Sequence, residues 1–418
     1  MSIEADPVDR PVTLTVAGSD SGGGAGIQAD LKTMEAVGTF GTSAITNVTA
    51  QNTVGVDDIH PVSHEAIRAQ IAAVRDDFDV EAVKIGMLGT AGVVETVRST
   101  VADIDPLVVD PVMVAESGDR LLDDDAEDAY EGLIERATLV TPNSEEARVL
   151  TGIDIEDDES AERAGEALVE MGADAALVTG GHRDDATVRD VLVADPDTDM
   201  DVSNGNPVDE SDGETTGEST SETIVHSRVD TDATHGSGCA LSSAIAARLA
   251  QGVTLHRAVR DGIGLLARAI RYHHRAGAGP GAVHHLAGLR NRAERSTTVE
   301  SAAGLYGRVA DRAESALVAT PFADDPGDVV AVGRGGPLTD PAAPVLLGVR
   351  DRAPDCRVAI RIADASGDWP TIESDDRRAG ARALLEECDS VPGVVAQGGD
   401  AIVVGATADD VIDRLDAI

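Results

Sequence analysis

From residue 12 to about residue 275, short apolar runs alternate with stretches of helical periodicity. The spacing predicts strands at Val12–Ala17, Ser43–Ala50, Ala82–Ile85, Leu107–Val109, Thr138–Val140 and Ala175–Thr179. Helices are expected between them, at His64–Asp77, Thr90–Ala102 and Ala161–Met171. Strands that read as continuous apolar runs are buried on both faces, and helical crossovers make neighbouring strands parallel. The class is therefore α/β, a largely parallel sheet covered by helices on both faces. Ligands of such sheets sit outside the carboxyl ends of the strands. Gly18–Asp20, Gly86–Leu88, Asp110–Val112, Thr141–Asn143 and Gly180–His182 all fall there.

The pattern breaks at Asp195–Glu222, which holds ten acids, no Lys or Arg, and only Met200, Val202 and Val208 as aliphatics. So little apolar surface cannot offset the entropy of ordering, and the segment reads as a flexible surface insertion. Order resumes at Thr223–Val229. A helix at Leu255–Arg275 follows, with Leu255, Val259, Ile263, Leu266 and Ile270 on one face. Past the Gly-rich Ala276–Ala282 the character changes, and a boundary is placed near residue 288. The expected organisation is a tail over 1–11, a domain over 12–288 and a second, smaller α/β domain over 289–418. In the latter, Arg290–Ser315 reads as an exposed helix. Val329–Val332, Val345–Val349, Arg357–Ile362 and Ala401–Val404 read as strands, with helices at Asp375–Glu387 and Ala408–Leu415.

Charge narrows the function. The 76 acids against 33 bases give −43, and 31 of those bases are Arg, leaving only Lys32 and Lys84. A nucleic-acid binder needs cations to displace counterions and aromatics to stack bases, and this chain has seven aromatics. Periodic aliphatics argue against disorder, so the acids read as a carboxylated surface suited to a high-salt cytoplasm. Cys239, Cys356 and Cys388 are too scattered for a disulfide framework or a Cys-rich zinc site. With no apolar signal core at Met1–Arg10 and no run near 20 apolar residues, a soluble cytoplasmic protein without membrane partners is expected.

Neither lysine follows a glycine as a Walker-type phosphate loop requires, and Gly22–Gly26 lacks the dinucleotide fingerprint. Thr234-His235-Gly236-Ser237-Gly238-Cys239 is more informative. Its glycines precede an amphipathic helix, so backbone amides and the helix N-terminus can converge as an anion cradle. Cys239 lies in the first turn, where a thiol pKa is expected to fall; the bland reading is a small buried hydrophobe. Asp110, with Asn143 and Glu146 at a neighbouring strand end, suits Mg²⁺, a hard ion that keeps waters and bridges phosphates. Asp30 sits at the edge of the apolar face formed by Ile27, Leu31 and Met34. A core-directed carboxylate needs donors, supplied by an amino-bearing substrate or by Lys32 or a loop amide.

Together these motifs resemble hydroxymethylpyrimidine/phosphomethylpyrimidine kinase of thiamin biosynthesis, in the ribokinase-like superfamily. The resemblance covers about 12–288. It is carried by Ala17-Gly18-Ser19-Asp20, Gly26 to Thr33, Gln51-Asn52-Thr53, Lys84-Ile85-Gly86-Met87-Leu88, Asp110-Pro111-Val112-Met113, Thr141-Pro142-Asn143, Gly180-Gly181-His182 and His235 to Cys239. It implies that Asp30 and Gln51 bind the aminopyrimidine, with Gly18, Met87 and Val112 lining its pocket. It further implies that Asp110 and Glu146 organise Mg²⁺, and that Asn143, Glu146 and Thr179 lie at the ATP phosphates. Gly236, Ser237, Gly238 and Cys239 would form the anion hole, with Cys239 activating the acceptor oxygen. Thr179 stands where the family often carries Lys. A homodimer acting on small molecules is expected, with pyridoxal-type vitamin kinase as the nearest rival. The C-terminal part, from His284-His285-Leu286 through Asp328 to Arg334, is similar to a ThiN-type thiamin-phosphate synthase domain. That family's glycine motif carries a His, but Gly336 to Pro341 has none. The implied role is a degenerate synthase, a thiamin-phosphate sensor or a structural appendage.

Overall fold

A computed structural model describes residues 7–113, 127–181, 186–196, 198, 215–216, 219–333, 336–363, 365, 369–372, 374–386, 388 and 391–417. They form two compact units, 1–286 and 287–418.

In the first unit, β1 (Val12–Ala17) leads into α1 (Gly26–Val37), and β2 (Phe40–Ile45) returns parallel to it. The expected strand Ser43–Ala50 is broken at Thr46. Thr46 donates its amide to Ala17 and its hydroxyl to the Met87 carbonyl (2.7 Å), turning the chain out of the sheet. Beyond it β3 (Asn47–Gln51) pairs antiparallel with β4 (Val56–Pro61) as a separate hairpin. Next come α2 (His64–Asp77), capped by Ser63, β5 (Val80–Ile85), α3 (Ala91–Thr100), capped by Thr90, and β6 (Leu107–Val109). They are followed by α4 (Glu127–Ile134), β7 (Leu139–Val140), α5 (Ser144–Thr151), α6 (Asp158–Glu170) and β8 (Ala175–Val178). The sheet is completed by β9 (Thr187–Ala194), β10 (Thr215–Thr216) and β11 (Ser219–Ser227), and the unit's helices by α7 (Ser237–Ala250) and α8 (Leu255–Arg271).

The nine-stranded order is β10-β11-β9-β8-β7-β6-β5-β1-β2. It is parallel from β2 to β8 and antiparallel where β9, β11 and β10 extend it. Successive residues of a strand face opposite sides, and the two cores follow from that. Leu107, Val109 and Val140 join Ile67, Val93 and Tyr130 on one side. Val108 and Leu139 join Leu241, Ile245, Val259 and Ile263 on the other.

The acidic segment is shorter than its composition implies. Ser219–Glu222 lies in β11, where Thr220 to Glu222 pair with Ala194 to Leu192. Glu222 is buried and paired with His256 at 2.7 Å and with Arg260. Residues 199–214, like His182, lie outside the described residues. Deleting 199–214 while keeping β11 is expected to leave catalytic turnover within a few-fold. Total loss of activity in a folded deletion variant would place the segment at the site.

The second unit is a six-stranded antiparallel sheet between helices. Its elements are α9 (Ala287–Ala293), α10 (Arg295–Val309), β12 (Ser315–Ala319), β13 (Val329–Gly333), β14 (Gly336–Leu338), α11 (Ala343–Arg352), β15 (Val358–Ile362), α12 (Arg377–Glu386), β16 (Val394–Gln397), β17 (Asp400–Gly405) and α13 (Ala408–Asp416). Leu317 and Ala319 face α11 and α12, whereas Ala316 and Val318 face α10 and α13. Three expectations are corrected. Val345–Val349 is helical within α11, because a short run buried all round carries no periodicity to separate strand from helix. Arg290–Ser315 is two helices followed by the first residue of β12. His284–Leu286, read as the start of the C-terminal domain, belongs to the first unit.

Among the described residues, no helix is long and apolar enough to cross a membrane.

Candidate active site

The carboxyl ends of β1, β5, β6, β7 and β8 carry the loops singled out above. Over them sits the N-terminus of α7. Gly236 caps it at φ +84°, and a Cβ there would lie 1.9 Å from the Gly24 carbonyl oxygen. Glycine is required both by conformation and by that backbone approach. The Ser237 amide already donates to the Thr234 carbonyl at 2.9 Å, and the helix dipole adds positive potential at this end.

Beneath it lies a buried charge network. Lys84 is fully buried, with its ammonium 3.1 Å from Asp30 and 3.7 Å from Asp110. Burial would lower the Lys84 pKa, but Asp30, Cys239 and Asp110 outweigh it, so the pKa is raised and the cation is secure. Ser242 and Ser243, one turn into α7, donate to Asp110 (3.0 Å) and Asp30 (2.7 Å) respectively. Thr15 of β1 donates to Asp30 at 2.6 Å. Asp30 is therefore a sealed core carboxylate whose donors are Thr15, Ser243 and Lys84. It sits inside the fold rather than at the face an amino-bearing substrate would meet.

Cys239 is half-buried, and its thiol shifts opposite to expectation. Burial pushes it up to about 12; Asp30 and Asp110 add to this, while Lys84 and the Gly26 amide oppose it. Helix position alone would lower it. Two neighbouring carboxylates and desolvation dominate, so the ligand-free thiol keeps its proton at neutral pH.

Asp110 and Glu146 are both buried. Burial raises Asp110 above the ordinary carboxylate range against the opposing pull of Lys84 and Ser242. Burial, then repulsion from Asp110, lifts Glu146 to about 8, although the amides of Asn143 and Met113 donate to it. Asn143 and Glu146 form the capping box of α5: the Asn143 side chain accepts from the amides of Glu145 and Glu146, and Glu146 accepts from the Asn143 amide at 2.9 Å. Thr179 sits beside them, its amide donating to Pro142 and its backbone bridging Asn143.

The raised Glu146 value has a stability consequence. Its folded pKa of about 8 exceeds the ordinary 4.5, so burial favours the neutral form. That contribution is complete below about 4.5 and is lost as pH rises through about 8. The metal-free melting temperature should therefore fall between pH 5 and 8. Glu146→Gln should flatten the slope; an unchanged slope in a thermal scan would refute this.

On the other side of the cradle, Gly18 donates its amide to Met87 (3.1 Å), and a Cβ at Gly18 would lie 3.1 Å from the Met87 sulfur. Gln51 is tied to the same loop through Ser21, whose hydroxyl donates to the Gln51 carbonyl (2.6 Å) and accepts from its amide (2.7 Å). Val112, half-buried, donates its amide to the Asp110 carbonyl at 2.8 Å. Asp20 organises the glycine loop: it accepts from the amides of Gly22, Gly24 and Ala25 at 2.7–2.8 Å and from His235 at 3.1 Å. Burial alone would raise its pKa; these hydrogen bonds, His235 foremost, bring it below the ordinary value.

The phosphomethylpyrimidine kinase family model matches residues 20–284. A hydroxymethylpyrimidine/phosphomethylpyrimidine kinase from Haemophilus influenzae is 42% identical over 66% of this chain and 96% of its own length. The chain belongs to the phosphomethylpyrimidine kinase family. It is thus a phosphotransferase with the ribokinase-like fold. A Bacillus subtilis pyridoxal kinase solved as an ADP complex superposes with a TM-score of 0.58 at 31% identity, over 68% of this chain and 99% of that one. A phosphomethylpyrimidine kinase from Clostridium difficile superposes with a TM-score of 0.50 at 37% identity, over 62% and 99%.

Within this kinase unit, the structure joins Gly18 to Met87, ties Gln51 to their loop, sets Asn143 and Glu146 beside Thr179, and places Asp110 under Gly238 and Ser242. Sequence reasoning missed Ser242 and Ser243, and named Asp20, His235 and Lys84 within motifs without their roles. One signal was available for Lys84: where 31 of 33 bases are Arg, a retained Lys marks a place an Arg does not fit. A Cβ at Gly86 would lie 2.8 Å from its ammonium, which shows how tight that place is.

Proposed function

We propose that the first unit transfers the γ-phosphoryl of ATP to the hydroxymethyl oxygen of 4-amino-5-hydroxymethyl-2-methylpyrimidine, and then to the resulting monophosphate. This reading is supported by the glycine-capped N-terminus of α7 at Gly236–Cys239, which stands by buried Asp110 and by the loop that ties Gly18, Met87 and Gln51 together. The acceptor oxygen attacks phosphorus, the bond to the β-phosphate oxygen breaks, and ADP leaves. The acceptor proton passes to solvent or, once the thiol has ionised, to Cys239, which is protonated in the ligand-free site.

The residues present fit Mg²⁺. Burial raises the pKa of both Asp110 and Glu146, Asp110 adds to the rise at Glu146, and the hydroxyls of Tyr130, Thr141 and Ser144 are buried without a hydrogen-bond partner. Two carboxylates with hydroxyls nearby suit an ion that retains water and bridges phosphates. When bound it would supply charge neutralisation at the phosphates. Asn143 and Thr179 flank that end, and Gly236–Cys239 stabilise charge on the transferring group.

A coupled assay with product masses, run in molar KCl to suit the carboxylated surface, tests the reading. Hydroxymethylpyrimidine should be phosphorylated once and then again. Preferential turnover of pyridoxal would instead favour the vitamin-kinase activity named for the Bacillus subtilis neighbour.

For the C-terminal unit we propose binding of thiamin phosphates without synthesis, on the ground that no histidine follows His285. Purified protein given pyrimidine diphosphate and thiazole phosphate should form no thiamin phosphate. Its detection by mass would overturn this.

A further inference from the structure

Residues 274–282 close into an Ω-shaped loop. Its neck is a two-way bridge, His274 amide to Ala282 carbonyl at 2.8 Å and Ala282 amide to His274 carbonyl at 3.2 Å, with the His274 and His284 rings 4.2 Å apart. Its tip rests on Thr53 at the turn of the β3–β4 hairpin. The Gly279 amide donates to the Thr53 hydroxyl at 3.0 Å. A Cβ at Gly279 would lie 1.7 Å from the Thr53 carbonyl oxygen, and one at Gly277 would lie 2.2 Å from its hydroxyl. Two glycines therefore let the loop backbone lie directly on Thr53. Its base rests on the cradle: the Val283 amide donates to the His235 carbonyl at 3.2 Å, and a Cβ at Gly24 would lie 3.0 Å from Ala282.

The same two places are bound to each other from below. His235 pairs with Asp20, Asp20 holds Gly22 to Ala25, and Ser21 is tied to Gln51, two residues before Thr53. The ring is closed: hairpin, glycine loop, cradle, Ω-loop, hairpin. We propose that the 274–282 loop is a clasp that fixes the distance between the hairpin, which carries Gln51, and the phosphate cradle, with Thr53 as its positioning residue. The loop touches no reacting atom in this scheme; it sets where the acceptor lies relative to the transferring phosphoryl. The proposal rests on the kinase reading above for which substrate the clasp positions, and on the contacts alone for its existence.

A side-chain-to-backbone hydrogen bond contributes about 1 kcal/mol, so losing it changes a binding constant by roughly 3- to 10-fold. Thr53→Ala should raise the acceptor KM by about that factor, leaving kcat and the ATP KM within twofold. Amide exchange over 277–283 should quicken in the substrate-free protein. Thr53→Ser, which keeps the hydroxyl, should restore both. Unchanged exchange in Thr53→Ala would overturn the clasp whatever the substrate proves to be. Faster exchange with an unaltered acceptor KM, or a loss confined to kcat or the ATP KM, would also overturn its positioning role. Absence of hydroxymethylpyrimidine turnover in the parent protein would instead refute the functional reading, and exchange would still decide the clasp.

Discussion

Lys84→Met should destabilise the kinase unit by about 3–5 kcal/mol, the cost of leaving a buried charge unpaired. Lys84 has no solvent exposure and stands between Asp30 and Asp110, which are themselves buried. Removing the ammonium leaves two carboxylates in a low-dielectric site, where each must be protonated or unfold its surroundings. Lys84→Arg should not rescue, because the guanidinium is larger and the space beside Gly86 is already filled. Asp30→Asn in the Lys84→Met background should recover part of the loss, since contacting charges are not additive. Denaturant midpoints for the two single variants and the double would check this. A single-variant loss below about 1 kcal/mol, the level of an exposed pair, would mean the network is solvated.

Cys239→Ser should lower kcat by roughly 10²–10⁴ at alkaline pH, where the thiol ionises and can act as a positioned base, while ATP binding persists because the backbone amides of the turn remain. The thiol is pushed up to about 12 in the ligand-free site, so below that value the competent thiolate increases with pH. The wild-type rate should still climb above pH 8, and the Ser variant should lose that climb. Cys239→Asp should restore part of the rate and move its pH dependence toward acid, because a carboxylate ionises far lower. A Ser variant with wild-type kcat would make Cys239 a packing residue. Phosphoryl transfer would then rest on positioning and charge stabilisation, which carry most of such reactions in any case.

Much of the kinase unit was legible because its signals are local. A run such as Leu107–Val109 is apolar at every position since both faces of β6 are covered, and alternate residues serve different cores. Ser63 and Thr90 mark the starts of α2 and α3 through their own side chains, as capping residues do. The glycine at 236 marks this turn because only glycine permits the φ of +84° and the backbone approach to Gly24 found there. The hairpin was not legible: nothing in Ser43–Ala50 shows that Thr46 turns to bond Met87, 41 residues away. Likewise Val345–Val349 is apolar throughout, and the sheet that already fills its layer decides that it is a helix.

At the site, the sequence by itself determined which chemical groups are present and at which strand ends they emerge, because strand ends are set by local pattern. Tertiary structure decided their states. Asp30 finds its cation 54 residues away in Lys84 and its second hydroxyl 213 residues away in Ser243, so a carboxylate that could have faced a substrate is sealed in the core. Cys239 lies where a helix terminus favours a thiolate, yet burial beside Asp30 and Asp110 raises its pKa instead. Desolvation and Coulomb terms depend on what surrounds a group in space, and distance along the chain carries almost none of that information.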